Sequence, residues 1–461
     1  MAKYRWEKEA DPAVLEFGKE HLNTVVLLDT ICGGAGPYGK SKGGIFDSYV
    51  LGERHLKDNS PIYSEPAAKR IRELSGRGES SWELCLRFAE DHDPLESTDE
   101  LLEIAGGIEN YHKRQVRLDD ATSLATTAKV KLDLLGLLDC PSYEDILKGL
   151  TGLETPPIPT NKDLDGREGR VLELMGCQDD DSLVRAAANW RCEIGSVEGD
   201  GVGVVYRKSA KMMLDALKTK EILPKHARLD IEILEKSPSL GTFHYGNATG
   251  DLDYGKTAVL KSSKRNHFDL VGIAAHEVGG HYPWHHLNAR YAKRTGDLFG
   301  ATGTIATNSS ALNEGFACSA ADIFREDVLT ILERVSGRER AALEEDFEIW
   351  RELKNLNTGA QAYALNGFFT GKMSPKEIED LCVGYGQNLS SARGIVQAIC
   401  CPEKIGKDPI YPICYGSLYY PGQQVVEKLL KEQGGQAVID SLCGEKGPAS
   451  LSTLYGERRI A

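Results

Sequence analysis

An apolar run, Phe268-Asp-Leu-Val-Gly-Ile-Ala-Ala275, leads straight into His276-Glu-Val-Gly-Gly-His281. The run is long enough for a buried helix, and two histidines close it five residues apart. A regular helix turns about 100° per residue, so positions i and i+4 lie about 40° apart on one face. Positions i and i+5 lie about 140° apart and cannot share an ion. One extra residue is what a single π-turn absorbs, and such turns concentrate at functional sites. Gly279 and Gly280 lie between the histidines, where a compliant backbone helps. The spacing therefore predicts a π-bulge in a buried helix. Pro283 predicts that the helix ends or kinks near Tyr282.

A His-Glu pair with a second His close behind can supply two imidazole ligands and a carboxylate base to a zinc site. On that reading His276 and His281 hold Zn2+ and Glu277 is the general base. The plain alternative is a set of ordinary core or surface side chains. A rival stripe, Glu277, His281 and His285 at i, i+4 and i+8, is interrupted by Pro283. Asn313-Glu-Gly-Phe-Ala317 opens another helical pattern, with Ser310 as its expected N-cap. Many zinc peptidases take a third ligand from a Glu on a downstream helix, and Glu314 is in place for that role. An ordinary first-turn carboxylate on the helix dipole is the alternative.

These residues resemble the HExxxH zinc metallopeptidases, which include the tyrosine carboxypeptidases and bacterial relatives with a QEGLA motif. His-Glu-x-x-Gly-His is also similar to the dipeptidyl peptidase III pattern. Tyr420-Pro-Gly-Gln-Gln424 resembles a Pro-Gly-Gln segment of bacterial proteins that carry HExxPGHH and EGWA motifs. The likeness spans roughly residues 240–435 and is confined to short motifs. Phe316 and the Gly279-Gly280 pair fit no single one of these families fully. The resemblance implies zinc hydrolase chemistry more firmly than any one substrate.

A chain of 461 residues can bury a large core and form two or more domains. No run of 18 apolar residues is present, so no membrane-spanning helix is expected. The first ten residues lack an apolar signal core, which predicts a cytoplasmic protein. A net charge of −14 argues against nucleic acid as a general partner. Eleven cysteines without a Cys-x-x-Cys read as free thiols in a reducing compartment.

Read in order, residues 1–225 predict a helical region forming one wall of a cleft, and residues 226–461 a zinc-binding catalytic region. Residues 24–32 read as a strand or a buried helix end. Gly34-x4-Gly39-Lys40-Ser41 formally matches a phosphate-binding loop. Gly43 and Gly44 would weaken the helix that motif needs, so a surface loop or an active-site flap is preferred. Ser80-x-x-Glu83, Ser97-x-x-Glu100 and Ser374-Pro-x-Glu377 read as capping boxes. Helices are expected over 114–139, 166–176, 181–193, 206–219, 340–358 and 389–401. Thr155–Thr160 reads as a stiff turn. Leu229, Ile231 and Ile233 alternate with acids, the pattern of a half-buried strand. Residues 241–246 and 256–260 suggest a further strand pair.

The expected architecture is mainly α, a helical metallopeptidase-like fold with a small antiparallel sheet before the metal-binding helix. The sheet edge could take up an extended peptide. The expected function is a zinc-dependent metallopeptidase acting on a peptide or small amide. A zinc lyase, a small amide or ester hydrolase, and a non-catalytic metal-binding module are the alternatives. Tyr419 and Tyr420, beside Pro421-Gly-Gln, are the preferred oxyanion donors, with His244, His285 and Arg393 behind them. Asp322 is a candidate partner for a ligand imidazole. Oligomeric state is not read from the sequence.

Overall fold

The computed structural model describes residues 7–32, 46–49, 86, 89–90, 92–139, 141–177, 182–235, 241–245, 253–261, 265–405, 409–444 and 447–456. The Gly-rich loop at 33–44 and the Ser80–Glu83 box lie outside them.

Helix α1 (Pro12–Ile31) starts on Asp11, whose side chain accepts from the Ala13 amide. The apolar segment at 24–32 is its buried end, not a strand. After strand β1 (Phe46–Tyr49) come α2 (Pro94–Gly106) and α3 (Tyr111–Leu134). Helix α2 starts on Asp93-Pro94, with Asp93 accepting from Leu95 and Glu96. Ser97 is no cap. An Asp cap followed by Pro at the first helical position is the stronger start. Helices α4 (Tyr143–Thr151), α5 (Asn161–Leu174), α6 (Leu183–Glu193) and α7 (Asp200–Thr219) follow. The stretch 155–160 joins α4 to α5 without helix or strand. It ends in a Thr160–Asp163 capping box that the sequence reading missed.

The sheet comprises β2 (Arg228–Leu234), β3 (Gly241–Tyr245) and β4 (Tyr254–Leu260), in the order β2-β4-β3. Strands β3 and β4 run antiparallel, but β2 and β4 run parallel. The sheet is therefore mixed, not antiparallel. The reason lies in burial. Thr257, Ala258 and Val259 are covered on both faces, so β4 takes the centre. Strand β2 exposes Asp230 and Glu232 and takes an edge. The chain crosses from β2 to the far edge as β3 and returns between them.

Helix α8 (His267–Ala274) then runs into a π-helix (Ala275–His281), which continues as α9 (Tyr282–Thr295). The π-turn falls where the five-residue spacing requires it. Pro283 does not end the helix. It occupies the first turn of α9, a position that tolerates a missing N–H. A short strand β5 (Thr302–Thr304) pairs antiparallel with β1. Helix α10 (Asn308–Ile323) is capped by Thr307, which accepts from Ser310 and so displaces Ser310 from the expected role. Helices α11 (Arg325–Ser336), α12 (Arg340–Phe369), α13 (Pro375–Gly384) and α14 (Leu389–Cys400) follow. The Ser374–Glu377 box forms reciprocally, as the motif predicts. A second π-turn (Tyr411–Tyr415) and a 3-10 turn lead into α15 (Tyr419–Gln433), α16 (Gly435–Leu442), the β6–β7 hairpin (Cys443–Gly444, Gly447–Pro448) and α17 (Leu451–Gly456).

One buried apolar cluster runs from Val14 in α1 to Leu454 in α17. Within it the π-helix packs on α10, and α10 packs on α15. Both crossings are too close for side chains. A Cβ on Gly280 would lie 2.4 Å from the Ala317 Cα, and one on Gly422 would lie 1.9 Å from the Ala311 carbonyl oxygen. The Pro-Gly-Gln segment thus lets α15 lie against α10. Among the described residues no helix is long and apolar enough to cross a membrane.

Candidate metal centre

The π-turn brings His276 and His281 together. Their rings meet edge to face, with centroids 4.9 Å apart. Ligand atoms of His276, Glu277 and His281 all lie within 4.8 Å of one another. Helix α10 adds the Glu314 carboxylate from the facing side. His276 Nε2 lies 3.6 Å from Glu314 Oε2, and His281 Nε2 lies 3.8 Å from Oε1. Ligands about 2.1 Å from a tetrahedral ion lie about 3.4 Å apart, so small rotations would close this set on zinc. Two nitrogens and a carboxylate are a donor set that zinc accepts. The His276 side chain is 21% exposed and that of Glu314 only 6%, so the group opens to solvent on the His276 side.

Helix α10 also orients both imidazoles. His281 Nδ1 lies 2.9 Å from Asn313 Oδ1, which can only accept, so Nδ1 carries the proton and Nε2 is the nitrogen that could take a metal. His276 hydrogen-bonds the backbone carbonyl of Ala317. Burial holds the His276 imidazole well below the usual histidine range, with the His281 and Lys354 charges adding to it. A neutral imidazole is the form that binds a metal. Lys354 is held beside the site by a 2.9 Å bond from Nζ to the Cys318 carbonyl.

Glu277 is buried. Its charge reaches the hydroxyl of Tyr206, which burial first and Glu277 second push far above the usual tyrosine range. That phenol is anchored on Thr257 at 2.5 Å. Strand β3, an edge of the sheet among the described residues, contacts the π-helix.

The tyrosines divide. Tyr415 donates to Glu314 Oε1 at 2.5 Å, and Tyr419 donates to Tyr415 at 2.9 Å. Burial, and then the Glu314 charge, push both phenols well above their usual range, so both stay protonated. Tyr420 lies on another face of α15, with its ring 3.6 Å from where a Gly359 side chain would start and Arg167 as the largest charge influence on it. Asp322 pairs with Arg351 at 3.6 Å, and neither imidazole relies on it. Arg393 is an exposed partner of Glu379. His285 is buried, its ring 6.3 Å from that of His281. The His244 side chain lies outside the described residues. The sequence reading missed Tyr415 and Asn313 as site residues. The signal for Tyr415 was present in Tyr411, Tyr415 and Tyr419 at successive i+4 positions, and Asn313 directly precedes Glu314.

No protein-family profile matches the sequence, and no curated protein does. Two solved structures resemble the fold, both described as "putative lipoprotein". One, from Colwellia psychrerythraea, gives a TM-score of 0.50 at 13% identity, over 82% of this chain and 69% of its own. The other, of unknown function and from Shewanella oneidensis, gives 0.49 at 14% identity, over 89% and 82%. The first match shows a shared fold and carries no information on activity.

Proposed function

We propose that the chain is a zinc-dependent hydrolase, with a peptide or small amide as substrate, in which His276, His281 and Glu314 hold the ion. The observation that carries this reading is the convergence of two imidazole nitrogens on one buried carboxylate, at 3.6 and 3.8 Å, with a second carboxylate one residue from a ligand. The ion, when bound, supplies Lewis-acid activation of water and of a substrate carbonyl. Glu277 takes a proton from the attacking water and returns it to the leaving amine. Asn313 holds His281 in the tautomer whose Nε2 can take the ion, and the Ala317 backbone acts on the His276 ring. The β3 edge beside the π-helix offers backbone groups to an extended peptide. The free thiols of the described cysteines support a reducing compartment, the cytoplasm.

Metal content of the purified protein, read by plasma mass spectrometry, tests the reading. Near-stoichiometric zinc is expected in the wild type, lost in His276→Ala and retained in Glu277→Gln. Turnover of a peptide library should fall by about 10²–10⁴-fold in Glu277→Gln. Loss of metal in Glu277→Gln would make Glu277 a ligand, an arrangement the 4.8 Å cluster also permits. A wild type that holds no metal and takes up none on adding Zn2+ would end the hydrolase reading.

A further inference from the structure

The Glu314 carboxylate faces His276 and His281 on one side and receives the Tyr415 hydroxyl on Oε1 at 2.5 Å. An ionised carboxylate only accepts, so the proton in that bond belongs to Tyr415. The Tyr415 oxygen lies 2.9 Å from the Tyr419 oxygen. With its own proton committed to Glu314, Tyr415 can only accept there, and the Tyr419 O–H is the donor. The order is fixed: Tyr419 gives to Tyr415, and Tyr415 gives to Glu314.

We infer that Tyr415 is a positioning residue of the metal centre, holding the Glu314 carboxylate toward His276 and His281, and that Tyr419 orients Tyr415 instead of donating to an oxyanion. The inference rests on the metal-centre reading. Its physical basis is that a carboxylate ligand needs a fixed rotamer, and a charge-assisted bond from a rigid phenol supplies one.

The phenol is rigid. Tyr415 closes the second π-turn, 9% exposed, with its ring edge-on between those of Tyr411 at 4.9 Å and Tyr419 at 5.1 Å. The turn is tied back by Ser417, whose hydroxyl bonds the Pro412 carbonyl at 3.3 Å and Tyr143 at 2.7 Å. The Gly422–Ala311 crossing then sets α15 against α10, so the phenol and Glu314 keep one register. Tyr420, one residue on, takes no part and serves as an internal control.

The test is zinc affinity, measured by competition with a chromogenic chelator on the wild type and on Tyr415→Phe, Tyr419→Phe and Tyr420→Phe. Thermal unfolding of each metal-free protein is run beside it. Removing a partner of a metal ligand costs about 10–100-fold in affinity, and that loss is expected for Tyr415→Phe. A smaller loss, under about tenfold, is expected for Tyr419→Phe, because Tyr415 keeps its bond to Glu314. Tyr420→Phe should bind zinc like the wild type. Tyr415→Phe with wild-type affinity overturns the inference, whatever happens to its melting temperature. If Tyr415→Phe does not fold, Tyr419→Phe decides, and unchanged affinity there overturns it too. Absence of zinc binding in all four proteins overturns the metal centre itself, a pattern distinct from a loss confined to one tyrosine.

Discussion

Asp322 shows how much a single carboxylate's role depends on its surroundings. From the sequence it is a candidate partner for a ligand imidazole. In the fold it faces Arg351 at 3.6 Å, and its side chain is 21% exposed. Burial pushes its carboxyl up to about 6, against the pull of Arg351 and Lys354. A carboxyl raised in the fold binds more protons there than in the unfolded chain between about pH 4 and pH 6. Its contribution to stability is therefore complete below the unfolded value of 3.8 and is lost as the pH rises through about 6. A shift of about two units corresponds to about 3 kcal/mol. Urea unfolding of the chelator-treated protein at pH 4 and pH 7 checks this. Asp322→Asn should match the wild type at pH 4 and exceed it at pH 7 by up to about 3 kcal/mol. Equal stability at both values would show that the buried carboxylate is fully compensated by Arg351 and Lys354.

Among the elements, the π-helix carries the most consequence, and its two glycines are not equivalent. A Cβ on Gly280 would strike backbone, 2.4 Å from the Ala317 Cα, whereas one on Gly279 would meet side chains at ordinary contact, the Met213 sulfur at 3.4 Å, the Phe324 ring at 3.5 Å and the Ala320 Cβ at 3.7 Å. Gly280→Ala should therefore push the π-helix off α10, cost about 1–3 kcal/mol or more, and weaken zinc binding by parting the histidines from Glu314. Gly279→Ala should be neutral or stabilising by up to about 1 kcal/mol. Melting temperature and zinc titration of the two variants separate these outcomes. The π-turn was legible in the sequence because the spacing of the two histidines is a local property, as were most helices, whose apolar stripes and caps are local too. The strand order was not, because it depends on which strand is covered on both faces, and β4 gains that cover only from the assembled fold. The choice among Tyr415, Tyr419 and Tyr420 was hidden for a related reason. A π-turn followed by a 3-10 turn resets the helical phase just before α15, and no apolar stripe announces it.

Across the whole molecule, the helices that carry His276, His281 and Glu314 rest on a polar interior that reads as surface in the sequence. Helix α3 buries Arg117, Asp119, Asp120, Ser123 and Thr127. Three of these side chains hold the start of α10. Asp120 accepts from the Ser309 amide at 3.2 Å, Ser123 from the Asn308 amide at 3.1 Å, and Thr127 donates to the Ala306 carbonyl at 3.0 Å. The direction in which Glu314 leaves its helix is thus set in part by a segment far from it in sequence. Deeper in the same helix, Arg117 pairs with Asp297, the two side chains 1% and 0% exposed. The guanidinium lies over the rings of Phe299 at 5.1 Å and Phe17 at 5.7 Å, and Asp297 also accepts from Tyr291 at 3.0 Å. Breaking such a pair from one side strands a buried charge, which costs about 3–5 kcal/mol. Asp297→Asn keeps the shape while leaving Arg117 without its counter-charge, so the unfolding free energy measured by urea titration should fall by that amount. Adding Arg117→Met removes the stranded charge and should restore part of the loss, giving a double-mutant coupling of the opposite sign to the single-site costs. Equal losses that simply add would mean that the two charges are each solvated independently, and that the joint between α3 and the loop after α9 is held by its aromatic packing alone.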